Sequence, residues 1–251
     1  MASATATKKK APKKLYERFS NLCNGNPKIT KKHEKAIRWL IQNVGEGSLT
    51  LSSSPQHEAA CWMIRENRGG TSFSPQRYAL AVLYFATKGM SWNENKNWVT
   101  HKHECTWYGV KCTFLSKKVY ELDLGFLEID GLLPRELGLL SNLRDLDLHG
   151  NDLQGVIPHK ILAGLKQLQY LRLHMNGMFG SIHKEITNMK YLKELHLFGN
   201  YMGGTIPKQL SELKKLGTSL SLGDKLGVFR CCLLCLVVLF CWLTTKRMYG
   251  E

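Results

Sequence analysis

The 251-residue chain lacks the marks of several common protein classes. It contains no P-loop, no G-x-S-x-G, no H-E-x-x-H and no kinase phrase, so no catalytic motif points to an enzyme. Its amino terminus has no apolar core of the kind that a secretory signal peptide requires. An N-x-[ST] acceptor for glycosylation is also absent, which weakens the expectation of a secretory route. We therefore expect neither catalysis nor a cofactor.

Acidic residues are few, and the excess of positive charge is unevenly placed. The chain has 35 Lys and Arg against 20 Asp and Glu, a formal net charge of +15. Residues 1–40 hold eleven of the basic residues and two Glu, so this stretch alone carries +9. We predict a disordered basic tail over residues 1–29. A nuclear-import patch at Lys8–Lys14 is the alternative, and no nucleic-acid partner is expected.

An apolar pattern repeats from residue 119 onward. Four units begin at Val119, Leu143, Leu168 and Leu192, with steps of 24, 25 and 24 residues. Each unit follows L-x-x-L-x-L, then an Asn position, a Gly and usually a Pro. A fifth unit begins at Leu210 and loses register after residue 216. A period of this length predicts stacked repeats, because one unit cannot bury its apolar side alone.

Each fixed residue type in the repeat has a physical reason. The L-x-x-L-x-L stretch predicts a short strand whose leucines point inward. The Asn side chain can bond backbone groups where the chain bends away from the strand. Glycine permits an unusual backbone angle, and proline begins the return path. We predict an α/β fold with an Asn ladder formed by Asn151, Asn176 and Asn200.

The phrase L-x-G-x-I-P resembles plant-type leucine-rich repeats of receptor-like proteins. The residues from Cys105 to Cys112, CTWYGVKC, resemble the N-terminal cap of that family, with Trp92 and Trp98 in place upstream. The resemblance implies a short right-handed solenoid over 119–216, a cap over 91–118 and a Cys105–Cys112 disulfide. Residues 54–87 look like the leader of diatom and algal relatives, and we expect 30–90 to be helical and partly docked on the cap.

The residues that flank the strand leucines are expected to point out onto the concave face of the solenoid. Stacking would align them in columns, and their mixture of acids, Arg, His and aromatic residues suits a protein or peptide partner. The alternative is an unused solvated surface. The predicted ligand face consists of Glu121, Asp123, Asp145, Asp147, His149, Tyr170, Arg172, His174, Glu194, His196 and Phe198.

Two groups of residues are candidates for a metal site. His149 and His174 are neighbours in one column, but no suitable third ligand accompanies them. His101, His103, Cys105 and Cys112 form the second group, whose spacing matches no common zinc finger. We therefore predict no metal.

The carboxyl-terminal region contains a long apolar run. Residues 226–245 include Cys231, Cys232, Cys235 and Cys241 and are long enough to span a bilayer. We predict an apolar transmembrane helix there, after a decayed-repeat linker over 217–225 and before a tail over 246–251. A buried carboxyl-terminal cap and a misread exon are the alternatives, and the cysteines suit palmitoylation.

These features favour a membrane-associated, receptor-like protein without a kinase domain. It is expected to be single-pass, in the plasma membrane or an endomembrane, and to bind a protein or peptide on its concave face. Because four repeats offer a small face, a co-receptor is expected to contribute. The alternative is an intracellular, cytoplasmic scaffold with a basic tail, and a zinc protein or enzyme is the remote one.

Overall fold

The computed structural model describes residue 23, residues 31–44, 49, 53–66, 74–216, 220–222 and 229–230. Contacts divide the chain into two units, which lie within residues 1–73 and 74–251. The predicted basic tail over 1–29 lies outside the described residues except for Cys23. The bulk of the predicted transmembrane segment and the tail after it also lie outside them.

The described part of the first unit includes the helices α1 (Lys31–Asn43) and α2 (Pro55–Glu66). Ile37 and Leu40 are fully buried on α1, in the helical spacing that predicts one amphipathic helix. A disulfide joins Cys23 to Cys61 on α2. This bond could not be predicted from the sequence, because the two cysteines are 38 positions apart and nothing local marks them as a pair.

The second unit begins with α3 (Pro75–Ala86), which has Pro75 in its first turn. Beyond it, Trp92, Trp98 and Trp107 pack together, with ring centroids 4.9 and 5.0 Å apart in sequence order. Tyr84 of α3 lies against Trp92 at 5.4 Å. The tryptophans thus anchor α3 in the region where the sequence predicts the cap.

A buried ion pair ties α3 to the same region. Arg77 donates to the Glu104 carboxylate at 3.1 Å and to the backbone carbonyls of Thr100 and Lys102. Burial raises the pKa of Glu104, but hydrogen bonds from Gln76 and Arg77 outweigh it and hold the pKa below its usual value. Because both charges are paired and hydrogen-bonded, their burial is tolerated here.

The repeats and the strand before them form a six-stranded sheet. Its strands are, in order, β1 (Val110–Cys112), β2 (Val119–Asp123), β4 (Asp145–Asp147), β6 (Tyr170–Arg172), β8 (Glu194–His196) and β11 (Leu220–Ser221). The strands from β2 onward run parallel, and Leu122, Leu146, Leu171 and Leu195 are aligned partners in successive strands. The antiparallel strand β1 pairs with β2 and covers the amino-terminal edge.

A second set of short parallel strands follows the Asn positions, in the order β3-β5-β7-β9. The repeat glycines in this region adopt positive φ, for example 77° at Gly155 and 88° at Gly180, as the conformational role of glycine requires. These strands are β3 Asp130–Leu132, β5 Asp152–Gly155, β7 Gly177–Gly180 and β9 Tyr201–Met202. The return segments are α4 His159–Gly164 and the 3₁₀ helices Arg135–Leu139, Lys184–Asn188 and Lys208–Glu212.

The Asn ladder lies between the two sheets and is buried. Asn176 accepts the backbone N–H of Leu153 at 3.0 Å and donates to the carbonyls of Leu148 and Leu173 at 3.0 and 3.1 Å. Asn151 and Asn200 repeat this arrangement one unit away in either direction. Each side chain satisfies backbone groups of its own repeat and of the preceding one.

The carboxyl-terminal end differs from the prediction in one place. The decayed fifth repeat still supplies β11, which pairs with β8 and extends the sheet. Phe229–Arg230, predicted as part of an apolar helix, instead forms a strand, β12, that runs parallel to β10 (Gly204–Thr205). The open edge at β10 offers backbone groups that a strand can pair with and a helix cannot. Among the described residues, no helix has the length and apolarity to cross a bilayer.

Candidate functional site

Strand pairing brings the predicted ligand-face residues into columns. Glu121, Asp145, Tyr170 and Glu194 are aligned partners across β2, β4, β6 and β8, and so are Asp123, Asp147, Arg172 and His196. Both columns lie on the side of the sheet opposite the buried leucines, because side chains alternate along a strand. We call this surface the ladder face; it comprises these two columns and the ring row defined below.

Arg172 lies at the centre of the ladder face. Its guanidinium donates to Asp145 and to Glu194 at 3.0 Å each, and it lies 5.2 Å from the ring centroid of Tyr170. A third carboxylate, Asp147, is 3.8 Å away. One cation thus ties together side chains from three successive repeats.

The pKa values in this network reflect burial opposed by charge. Burial would lower the pKa of Arg172, but Asp145 and Glu194 outweigh it and hold the pKa above its usual value. Burial raises the pKa of Asp145 despite the adjacent guanidinium, with Glu121 and Asp147 adding to the rise. Arg172 donates to both carboxylate oxygens of Asp145, at 3.0 and 3.3 Å, which is the geometry of a charge-assisted pair.

Four rings form a continuous row along one side of the columns. Phe126 meets His149 edge-on at 4.5 Å, His149 stacks on His174 at 4.6 Å, and His174 stacks on Phe198 at 4.5 Å between ring centroids. We call Phe126, His149, His174 and Phe198 the ring row. It crosses four repeats and places rings side by side at the edge of the charged columns.

The remaining predicted ligand-face residues, His149, His174 and Phe198, form a third column just beyond the strand ends. Backbone bonds such as Gly150 N–H to His174 O, at 3.0 Å, keep the repeats in register there. Gly125 occupies the first place in this column, and a Cβ on it would lie 2.7 Å from the His149 ring. The missing side chain leaves room for that imidazole. Phe126, the residue after Gly125, takes the end of the row instead.

The stacked histidines of the row do not have the geometry of a shared metal site. His149 Nδ1 lies 2.5 Å from the carboxylate of Asp147. His149 and His174 stack with only 13° between their planes, so their in-plane ring nitrogens do not converge on one point. Burial and the neighbouring His149 lower the pKa of His174. In the other candidate group, Cys105 and Cys112 form a disulfide, so their sulfur atoms are not thiolate ligands while that bond is intact.

Sequence reasoning missed two members of this surface. Phe126 is 62% exposed and follows the column position by one residue, so a column-by-column alignment passes over it. Lys111 donates to Glu121 at 2.6 Å from β1, which lies outside the repeats. Only the antiparallel pairing of β1 with β2 brings Lys111 to the ladder face.

Charge on the ladder face opposes that of the whole chain. Counted without its histidines, the face carries five carboxylates, the Arg172 guanidinium and the Lys111 ammonium, a formal charge of −3, on a chain of net charge +15. A surface of opposite sign on a basic protein favours a basic partner and disfavours nucleic acid. The five carboxylates are Glu121, Asp123, Asp145, Asp147 and Glu194.

Comparisons with known proteins agree with this architecture. Residues 142–162 match the Leucine Rich Repeat family model. Among Arabidopsis thaliana proteins, Protein MALE DISCOVERER 1 is 40% identical over 72 residues, which are 29% of this chain and 10% of that protein. Phytosulfokine receptor 1 is 37% identical over 31% of this chain and 8% of its own length. Receptor-like protein 50 is 34% identical over 34% of this chain and 10% of its own length.

Solved structures show the same kind of fold. The BIR2 ectodomain from Arabidopsis thaliana matches with a TM-score of 0.53 and 28% identity, over 59% of this chain and 78% of that one. A plant ice-binding protein matches with a TM-score of 0.54 and 29% identity, over 59% of this chain and 48% of that one. The repeats are thus leucine-rich repeats similar to those of plant receptor-like proteins. The chain spans a tenth or less of the length of the curated relatives described above.

Proposed function

We propose that residues 119–222 form a short leucine-rich-repeat solenoid whose concave surface, the ladder face, binds a protein or peptide in a receptor-like role. The observation that carries the proposal is the in-register array of half-buried charged residues and rings, which no core contact uses. Two of the curated relatives, Phytosulfokine receptor 1 and Receptor-like protein 50, are named as a receptor and a receptor-like protein. A similar fold also occurs in an ice-binding protein, so the fold alone does not indicate binding of a protein or peptide. The side chains of the ladder face support that proposal.

The chemistry of the ladder face defines the partner that fits it best. An extended segment carrying Lys or Arg would pair with the carboxylates of β2 and β4. An aromatic or apolar side chain of the same segment would lie on the ring row, where rings offer contact area at low entropic cost. We therefore propose a basic peptide or protein loop with at least one aromatic anchor.

The cap disulfide favours the receptor-like role over the intracellular scaffold. A structural Cys105–Cys112 bond persists in an oxidising compartment and is rare in the cytosol. Membrane attachment through residues 226–245 and help from a co-receptor remain parts of this proposal. Both are tested separately, by carbonate extraction of cells that express the chain and by cross-linking at their surface.

Selection from a random-peptide display library against the folded, oxidised full-length chain tests the binding proposal. The selected peptides should be rich in Lys, Arg and aromatic residues. Asp147→Asn and Phe198→Ala should each weaken their binding by about tenfold or more, as hot-spot losses do. Lys184→Ala, on a return segment, is the matched control and should leave binding unchanged. Peptides that bind all variants equally would place the binding surface elsewhere.

A further inference from the structure

A second cluster of reactive side chains lies in the first unit. His57 and Cys61 are one turn apart on α2, and Cys61 is bonded to Cys23. The three residues are buried, with 4–6% of their surface exposed. Their ligand-capable atoms all lie within 4.8 Å of one another. This is the one such group of three or more metal-ligating side chains found among the described residues.

Local hydrogen bonds fix the orientation of the His57 ring. Its backbone N–H donates to the hydroxyl of Ser54, which holds the first turn of α2. Its Nδ1 lies 2.6 Å from the backbone carbonyl of Leu49. Because a carbonyl only accepts hydrogen bonds, Nδ1 carries the proton and Nε2 presents a lone pair. That lone pair faces the Cys61 sulfur at 3.3 Å.

In the oxidised cluster the Cys61 sulfur cannot donate to this lone pair. A disulfide sulfur carries no hydrogen, so the buried Nε2 faces an atom that cannot satisfy it. In metal sites, by contrast, a ligating histidine typically donates its other ring N–H to a carbonyl or carboxylate. The Leu49 carbonyl already has this position. The ring is therefore arranged as a metal ligand would be.

The other disulfide shows that this arrangement is specific. His103 lies two residues before Cys105, but its Nδ1 accepts the backbone N–H of Cys105 at 3.2 Å. That imidazole caps a short 3₁₀ helix, and among the described residues the Cys105–Cys112 pair belongs to no group of three metal-ligating side chains. The two disulfides thus differ in what surrounds the sulfur atoms.

We propose that Cys23, His57 and Cys61 bind Zn²⁺ when their disulfide is reduced. A dithiol supplies two electrons and two protons, becomes a disulfide itself, and leaves two protein thiols. Zn²⁺ then displaces both thiol protons and binds two thiolates and His57 Nε2, with water as the fourth ligand. Zinc–sulfur bonds of about 2.3 Å require the sulfur atoms to separate, which rotation of the cysteine side chains supplies.

The consequence is a cross-link that survives a change of redox compartment. Thiolate and imidazole ligands are the set that zinc prefers, and site formation in the folded unit stabilises it. In an oxidising compartment the disulfide ties Cys23 to α2. In a reducing one the metal does so. The proposal stands apart from ligand binding at the ladder face, and either can fail alone.

Cobalt titration of the full-length chain tests this site. Cys231, Cys232, Cys235 and Cys241 are replaced by Ser to remove competing thiols, and the protein is reduced with a phosphine under anaerobic conditions. One equivalent of Co²⁺ should produce thiolate-to-cobalt charge-transfer absorption and the visible bands of tetrahedral cobalt, and Zn²⁺ should abolish both. His57→Ala should weaken Co²⁺ binding by at least about tenfold.

Matched variants distinguish this site from the cap. His103→Ala and the Cys105→Ser/Cys112→Ser pair should bind Co²⁺ as the parent does. The Cys23→Ser/Cys61→Ser pair should not bind it, and circular dichroism confirms that each variant is folded. If that pair does not fold, the His57→Ala result decides, because this variant retains both thiols. A folded, reduced parent that binds no cobalt, or binding that His57→Ala leaves unchanged, would overturn the proposal.

Discussion

The Asn ladder and the ring row lie two residues apart in the three repeats that carry the Asn, yet they have different roles. Asn151 and Asn176 bond backbone groups of two repeats and are buried. His149 and His174, just before them, stack on each other and remain partly exposed. The same period aligns both columns. A column of side chains is therefore structural where it bonds backbone groups that would otherwise be unpaired. A column that makes no such bonds is available for binding a partner.

The largest effect is expected in the Asn ladder. Asn176→Ala removes the partner of the Leu153 N–H and of the Leu148 and Leu173 carbonyls, all of them buried bonds. Unsatisfied buried groups are costly, so the free energy of unfolding should fall by about 3 kcal/mol in urea titrations. Asn188→Ala, whose side chain is exposed, should cost less than about 0.5 kcal/mol. Equal losses would contradict a structural role for the ladder.

The next effect concerns the repeat that lacks the Asn. Leu127 stands at that position and is 6% exposed. No repeat precedes it, and Asn93 of the cap donates its backbone N–H to the Leu127 carbonyl. Leu127→Asn should therefore lower the free energy of unfolding by about 2 kcal/mol although it restores the repeat consensus. A gain in stability in urea titrations would show that the ladder extends into the cap.

A smaller effect is expected at the ladder face. Arg172→Ala removes the bonds to Asp145 and Glu194 and leaves their carboxylates facing each other. Because these side chains are about a quarter exposed, solvent screening limits the loss to about 1 kcal/mol. The loss should shrink in high salt. Arg144→Ala, an exposed arginine beside β4, is the control and should show no salt-dependent change.

The smallest effect is the pH dependence of the ring row. Burial lowers the pKa of His174 below its usual 6.5, so the unfolded chain binds more protons than the folded one just below that pH. This share of stability is present above pH 6.5 and is lost as the pH falls toward the folded-state pKa. His174→Asn should lose less stability than the parent between neutral and mildly acidic pH. His159→Asn, on α4, should behave as the parent does.

Contacts that follow from the local repeat could be predicted from the sequence, and contacts between segments that share no pattern could not. The Leu period predicted the parallel register of Leu146, Leu171 and Leu195, because every strand repeats the same local pattern. It also placed the predicted columns on one surface. It did not reveal Phe126, which stands one residue after the column position. Gly125 holds that position and leaves room for His149, and the Phe126 ring contacts His149. Nor did it reveal the Cys23–Cys61 bond, which joins segments that share no pattern.

The sequence by itself determined the repeated unit. Its leucines face inward, its Asn bonds the backbone groups at the bend, and its glycines stand where φ must be positive. A local period dictates such features because each repeat poses the same burial problem. Only the tertiary structure decided which side chains meet across repeats and beyond them. It centred Arg172 among three carboxylates, stacked rings into a row and brought His57 to a buried sulfur, since these contacts depend on distances that no local pattern encodes.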